Sequence, residues 1–337
     1  MATINDVAKR AGVSKGTVSS VFSKKRPIST EVTERVLAAA KELSYFPNQL
    51  ARSLAIKKTM IVGLKIPISR EHAMSGFEVQ LINGVIRECS KRGYRVLLDT
   101  LPEHDDPIHF AVDPVDGVIM LNPRTNDPRI DRYKLMQTPL VLIGRPDPMD
   151  ASVCYVDNDN VRIGSQVGQY LIDNGHTSVL FLNASSDMTV AADRKSGLYE
   201  AFERSGLSTE QLKVLHYSRK QHGNPTKYGY VSLKHSYGNH EFTAVIADTD
   251  RVALGALQAT RELGIVIPEQ LSIVALSDDP ILAQETSPKL TSVELSAELL
   301  GSEAAKILLK KIKNIGIVQQ KVIDAKLILR ESCKTYV

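Results

Sequence analysis

The chain has 337 residues, more than one compact domain usually holds, and its 43% hydrophobic and 24% charged residues describe a folded globular protein rather than a disordered one. No apolar run reaches about eighteen residues, and MATINDVAKRAGVS lacks the basic-then-apolar order of a secretory signal; neither a membrane helix nor export is expected, and the cytoplasm is the expected location. The net charge of +4 is uneven: residues 1–59 hold eleven Lys/Arg against four Asp/Glu, a balance of +7, and the remainder sums to −3. A basic head on a mildly acidic body is the electrostatic footprint of a nucleic-acid-binding module joined to something else, although a solvated lysine-rich face gives the same balance. The three cysteines, Cys89, Cys154 and Cys333, stand singly, which argues against disulfides and a zinc site; neither a metal nor another cofactor is expected.

Thr3 opens the first helix as its cap, with Asp6 placed for a capping box, and Ile4, Val7, Ala8 and Ala11 form the apolar stripe. Gly12 stops that helix at a left-handed turn position, and Ser14 caps a second one from Lys15 to about Phe22, with Val18, Val21 and Phe22 inward. Two short helices joined by so tight a turn are the helix-turn-helix signature. The second helix presents Lys15, Gly16, Thr17, Ser19 and Ser20 outward at its amino-terminal end, where this motif meets base edges in the major groove. Ser29 or Thr30 caps a third helix whose Val32, Val36, Ala39 or Ala40, and Leu43 share one face. After Tyr45-Phe46-Pro47, Asn48 caps a further segment, Gln49 to Ala55, too short to be a stable helix alone.

From Met60 onward, continuous Val/Ile/Leu runs alternate with amphipathic segments. MIVGLKI, YRVLLDT, VDGVIML, PLVLIG and VCYV read as strands, with a helix from Ser75 to Arg92. A second series follows: a helix Val161–Asn174, the strand TSVLFLN, a helix from about Ala192, then VLHY, TAVIAD and SIVALS with helices between. Such runs imply two parallel sheets covered on both faces, hence two similar α/β lobes with a ligand cleft at the carboxyl ends of their strands.

TINDVAKRAGVSKGTVSSVF followed by ELSYFPNQLARSLA resembles the headpiece and hinge of the lactose-repressor (LacI/GalR) family without a gap. The resemblance continues through YVDNDNVRIGSQVGQYLIDNGH, DRKSGLYEAF, TAVIADTDRVALGAL, LSIVALSDDP and PKLTSVEL, and so covers nearly the whole chain. It implies a small all-α headpiece with a hinge helix and an α/β body of type I periplasmic-binding-protein fold. The implied organisation is a headpiece over 1–46, a hinge over 47–59, a first lobe over 60–160 plus 291–320, and a second over 161–290 plus 321–337. The crossings between lobes are expected near 157–161, 287–293 and 318–325. In that family the hinge helix orders on operator DNA and a leucine wedges into the minor groove; the matching residue is Leu54, with Asn48, Ala51, Arg52 and Ala55 around it. Gly16 has no side chain, and Ser20 stands where many members carry arginine, so a bidentate guanine contact is lost at that position.

For the effector, the resemblance points to Arg194, whose guanidinium can fork onto vicinal hydroxyls or a carboxylate. It also points to Thr249 and Asp250 after TAVIAD, although Asp250 can equally cap its own helix and Thr249 replaces the usual asparagine. Ser277 stands where relatives often have aspartate, leaving Asp278 as a substitute. Phe77 is either an apolar platform for a sugar ring or core, and Asp157 serves hinge geometry. The VDNDN, GRP and PKLTSVEL segments look closest to the maltose/oligosaccharide branch, implying an α-glucoside effector. The expected function is a homodimeric repressor of carbohydrate genes, binding double-stranded operator DNA and released by a sugar. The alternative within the family is a corepressor-dependent regulator answering to a purine or a phosphorylated carrier protein. No HExxH or GxxxxGK[ST] appears, so catalysis is not expected.

Overall fold

A computed structural model describes residues 2–23, 26–46, 58–66, 74–99 and 114–336, which fall into two compact units, Met1–Thr59 and Met60–Val337. The expected hinge residues Asn48, Ala51, Arg52, Leu54 and Ala55 lie outside the described residues.

The first unit consists of α1 (Ile4–Ala11), α2 (Lys15–Ser23) and α3 (Thr30–Glu42). Thr3 and Asp6 close the capping box at the start of α1, and Gly12 ends it at φ 64°, a conformation glycine adopts without steric cost. Ser29, rather than Thr30, caps α3. Val7, Ala8 and Ala11 of α1 meet Val18 and Val21 of α2 and Val36, Ala39 and Ala40 of α3 in one small core. The Arg35 guanidinium donates to the Ala11 carbonyl at 2.8 Å, satisfying an acceptor left open at the end of α1.

The second unit holds two six-stranded sheets. The first contains β1 (Ile61–Lys65), β2 (Arg95–Asp99), β3 (Gly117–Leu121), β4 (Leu140–Ile143), β5 (Cys154–Asn158) and β11 (Gln320–Ile323), in the order β11-β5-β4-β3-β1-β2, all parallel. The second contains β6 (Val179–Asn183), β7 (Leu212–His216), β8 (Ala244–Ala247), β9 (Ser272–Ala275), β10 (Thr291–Glu294) and β12 (Lys326–Ile328), in the order β12-β10-β9-β8-β6-β7, with only β12 antiparallel. Alternate residues of the second sheet feed different cores. Leu180, Val245 and Ile273 pack on one face, while Phe181, Ile246 and Val274 pack on the other, as a sheet covered on both sides requires.

The helices of the body are α4 (Gly76–Ser90), α5 (Pro128–Leu135), α6 (Asn160–Asp173), α7 (Thr189–Arg204), α8 (Arg219–His222), α9 (Pro225–Ser236), α10 (Asp250–Leu263), α11 (Leu282–Glu285) and α12 (Ala297–Lys313). Three helix pairs cross at glycines. A Cβ on Gly84 or Gly301 would lie 2.1 Å from a backbone oxygen of the opposing helix at the α4/α12 crossing, and Gly164/Gly197 and Gly229/Gly255 do the same for α6/α7 and α9/α10.

The chain passes between lobes three times: after β5, after β10 and after β11. Two boundaries differ from those read in the sequence. Thr291–Glu294, expected in the first lobe, pairs with β9 in the second sheet, so the second crossing comes at Leu295–Ser296 and not within 287–293. Residues 321–323, expected in the second lobe, pair with Val156, Asp157 and Asn158 of the first. Strand runs announce themselves locally, but their sheet is decided by distant partners. Helix α7 also starts at Thr189, earlier than the expected Ala192; no side chain caps it, and its first N–H donates to the Pro123 carbonyl of the first lobe at 3.4 Å. No helix among the described residues is long and apolar enough to cross a membrane.

Candidate functional site

In the first unit, Ser14, Lys15, Gly16 and Ser19 are exposed and Thr17 and Ser20 half-buried, all at the amino-terminal end of α2, while Val18 between them is buried. The Ser14 hydroxyl accepts from the Thr17 N–H at 3.1 Å and meets the Thr17 hydroxyl at 2.9 Å, fixing the start of this helix. Thr3 is exposed, and its hydroxyl donates to the Asp6 carboxylate at 2.8 Å. A short helix thus offers small polar side chains and one lysine at its amino terminus, dimensions that a major groove admits.

The second candidate site lies where the strand ends of the two lobes face each other. On the second-lobe side, Arg194 of α7 is 5% exposed and is held on three sides. It donates to the Asp248 carboxylate at 2.5 Å and the Asp248 carbonyl at 3.1 Å, to the Leu276 carbonyl at 3.4 Å, and to the Asn160 side-chain oxygen at 3.2 Å. Asp248 follows β8 and Leu276 follows β9, so the guanidinium binds together the carboxyl ends of two strands. Thr249 caps α10, its hydroxyl accepting from the Val252 N–H at 3.3 Å. Asp250, the first residue of α10, is buried; its N–H donates to the Ser277 hydroxyl at 2.9 Å, and its carboxylate accepts from the Arg251 N–H at 2.7 Å. Burial, helped by the carboxylates of Asp279 and Asp278, pushes the Asp250 carboxyl up to about 6. Asp278 accepts from Ser292 at 2.5 Å and from Arg330 at 2.8 Å.

From the first lobe, Phe77 packs against the cores of both lobes. Arg145, after β4, pairs with Asp193 of α7 at 2.6 Å, and Arg124, after β3, with Asp187 at 2.8 Å. The Arg251 guanidinium reaches back to the Met74 carbonyl at 2.7 Å. Gly76, at the start of α4, meets the Asp279 side chain so closely that a Cβ there would sit 2.1 Å from a carboxylate oxygen. At the end of β1, Lys65 pairs with Asp99 at the end of β2.

Asp157, at the first crossing, joins these groups. Its carboxylate accepts from the N–H of Arg145 at 3.1 Å, the N–H of Asn158 at 2.8 Å and the Asn160 amide at 3.1 Å. Burial pushes its carboxyl up to about 7, with Asp193 adding repulsion and Arg145 opposing it. A continuous hydrogen-bonded chain thus runs from Arg145 through Asp157, Asn160 and Arg194 to Asp248.

Of the residues read in the sequence, Phe77, Arg194, Thr249, Asp250, Ser277 and Asp278 all fall at this junction. Asp248, Asn160, Arg145 and Asp193 were not anticipated. Asp248 had a readable signal, being the last residue of TAVIAD at a strand end; the other three depend on a partner distant in sequence. An aromatic group was also missed: Tyr217, His222 and Tyr228 lie with ring centroids 4.7–6.0 Å apart just beyond β7. Burial keeps His222 low, and its Nδ1 accepts from the Ser218 N–H at 3.0 Å.

A basic helix-turn-helix unit joined to a two-lobed α/β body with an inter-lobe cleft defines a DNA-binding transcriptional regulator governed by a small molecule. Residues 3–48 match the family model for bacterial regulatory proteins of the lacI family, and residues 169–333 match the periplasmic binding protein-like domain. The chain is 31% identical to the transcriptional regulator MalR of Staphylococcus xylosus over 99% of both chains, and 30% identical to the ribose operon repressor of Escherichia coli over 96% of both. A solved complex of the regulator CelR with cellobiose superposes with a TM-score of 0.73 at 28% identity, covering 98% of this chain and all of that one. The protein belongs to the lacI family of bacterial regulatory proteins.

Proposed function

We propose that this regulator is a homodimeric repressor of carbohydrate-utilisation genes, released from a pseudo-palindromic operator when a sugar of α-glucoside type binds between its lobes. The observation that carries the reading is the Arg145–Asp157–Asn160–Arg194–Asp248 chain. It ties the strand ends to the first lobe crossing, so a ligand that stabilises one lobe arrangement acts directly on that crossing. The relative CelR, solved with cellobiose, favours a glucoside. Arg194, Asp250 and Ser277 are the effector contacts of this reading, with Phe77 beneath the ring.

Two-fold pairing follows from half-site reading by helix-turn-helix units. Exposed Val79 and Ile86 on α4, with exposed Leu98 on the same face of strand β2, give a dimer an apolar surface on the first lobe. The coupling between sugar and operator is expected at roughly 1–3 kcal/mol, typical of allosteric proteins.

The test is fluorescence anisotropy on DNA from upstream of the gene itself and of adjacent sugar genes. Salt is held fixed, because DNA affinity depends steeply on it. Maltose, cellobiose and ribose are added in turn. Loss of tight binding with maltose supports the reading, and loss with cellobiose alone replaces the α-glucoside by a β-glucoside. Tight binding that tightens further with a ligand reverses the sign to corepression, and tight binding that no sugar moves removes the sugar from the account.

A further inference from the structure

Helix α4 begins at the junction between the lobes, where two groups of the second lobe meet its first residues. The Arg251 guanidinium donates to the Met74 carbonyl at 2.7 Å, just ahead of the helix. Asp279 presses on Gly76, the first helical residue: a Cβ there would lie 2.1 Å from its Oδ2 and 3.1 Å from its Cβ. Asp279 is not free to swing aside, because its Oδ1 accepts from the N–H groups of Ile281 at 3.0 Å and Leu282 at 3.1 Å. Both groups adjoin Asp250. Arg251 follows it in α10, and the Asp250 carboxyl is raised by burial and then by the neighbouring Asp279 carboxylate. The Ser75–Glu78 capping box closes the start of α4, so the helix takes this contact as a rod rather than by fraying.

Further along, Gly84 crosses α12 at Gly301 with backbone against backbone. A Cβ on Gly84 would lie 2.1 Å from the Glu298 carbonyl oxygen, and one on Gly301 2.1 Å from that of Leu81. The Arg87–Glu298 ion pair, at 2.5 Å, spans the same crossing. At 1.5 Å of rise per residue, Gly76 and Gly84 are about 12 Å apart along the helix. The helix thus has a fixed point at Gly84 and an arm reaching to the junction. Exposed Val79 lies on the arm, and exposed Ile86 lies beyond the fixed point. A displacement of about 1 Å at Gly76, the scale of helix shifts at interfaces, turns such an arm by about 5°. Val79 and Ile86 then move in opposite directions.

We propose that α4 is a lever between the effector site and the dimer surface, pivoting at Gly84–Gly301, with Arg251 and Asp279 as the positioning residues that set its junction end. The lever rests on the sugar and dimer reading above. An effector that draws the second-lobe loops against the first lobe, or releases them, shifts Met74 and Gly76 and re-tilts the surface on which two copies pair. Coupling between sugar and DNA is then lost when the junction end is no longer held, although neither binding site has been touched.

The experiment uses the full-length protein and two readouts. Anisotropy on DNA from upstream of the gene, at fixed salt and with maltose, cellobiose or ribose, gives the factor by which a sugar changes DNA affinity; calorimetry gives sugar affinity alone. Hydrogen exchange of the α4 amides, without sugar, reports how firmly the helix start is held. Arg251→Met keeps the apolar stem and removes the donor. Exchange in the amino-terminal half of α4 should rise by at least about threefold, as loss of one hydrogen bond implies. Helix α6, capped by its own Asp159, should not change. The coupling factor should fall from the roughly 5–150-fold typical of allosteric proteins to below about threefold, with sugar and DNA affinities each kept within about threefold. Arg251→Lys, which retains a donor, should restore both readouts. Gly76→Ala should also lower the coupling factor, since alanine suits a helix at least as well as glycine but collides with Asp279. Wild-type coupling in Arg251→Met and Gly76→Ala overturns the lever, and so does coupling lost together with sugar affinity, which would make Arg251 part of the effector site. If no sugar moves wild-type DNA binding, the sugar reading fails and exchange alone decides. Unchanged α4 exchange in Arg251→Met then overturns the lever as well, whereas faster exchange confined to the α4 start upholds it for a different effector.

Discussion

Arg194 sits where a guanidinium is least replaceable: buried, forked onto one carboxylate and two carbonyls, and linked through Asn160 to the lobe crossing. Removing one partner of a buried ion pair strands the other charge. Arg194→Ala is therefore expected to destabilise the body by roughly 3–5 kcal/mol and abolish effector binding, read by urea denaturation and titration calorimetry. Unchanged stability would mean that Asp248 finds another donor. Asp157 makes a prediction of the opposite sign from an ordinary paired carboxylate. Its folded value, about 7, lies above the usual 3.8, so the native state holds a proton that the unfolded chain has released. Its contribution to stability is thus fully present below about pH 4 and is lost as pH rises towards 7, flattening above that. Asp157→Asn should remove this slope from denaturation midpoints measured between pH 5 and 8. It should also cost stability at pH 5, because Asn cannot accept on both sides from the Arg145, Asn158 and Asn160 donors.

At the level of elements, the three glycine crossings bring helix backbones together with no side chain between them. Gly301→Ala forces α12 away from α4 and should destabilise the first lobe by roughly 1–3 kcal/mol, with a matching loss in thermal midpoint and no direct effect on the cleft. An unchanged midpoint would show that the helices slide freely past one another. These crossings also mark where sequence reading stops. Helix starts with a side-chain cap, such as Thr3, Ser29 and Ser75, are legible because their hydrogen bonds span three residues. So are the apolar strand runs. Helix α5 was not anticipated despite the cap and proline of Asp127-Pro128, since the segment behind them is short and largely polar. The start of α7 and the sheet membership of β10 and β11 were missed for another reason: their determinants, the Pro123 carbonyl and strands β9 and β5, lie far away in the chain. The cleft divides in the same way. Arg194 and Asp250 were singled out through the family resemblance, whereas Arg145–Asp193 and Arg194–Asp248 exist only once the lobes fold.

For the molecule as a whole, the exposed apolar residues on α4 and β2 carry the dimer proposal. Ile86→Asp places a charge on that surface without touching either core, and it should shift sedimentation from dimer to monomer at micromolar concentration. Operator affinity should fall with it, since one helix-turn-helix unit reads one half-site. A variant that stays dimeric would move the interface to another face.

The order in which the ribosome delivers the chain now matters. The helix-turn-helix unit is contiguous within residues 1–59 and emerges first, whereas both sheets await the last strands, β11 at 320–323 and β12 at 326–328. Until those strands arrive, β5 and β10 are open edges and α12 has not yet covered the first sheet. The nascent protein thus spends most of its translation with a complete reading module attached to two unfinished sheets. Such edges invite mispairing, so slowed translation near the end of the message, or loss of holding chaperones, should cost this protein more than one whose lobes are each built from an unbroken stretch of chain.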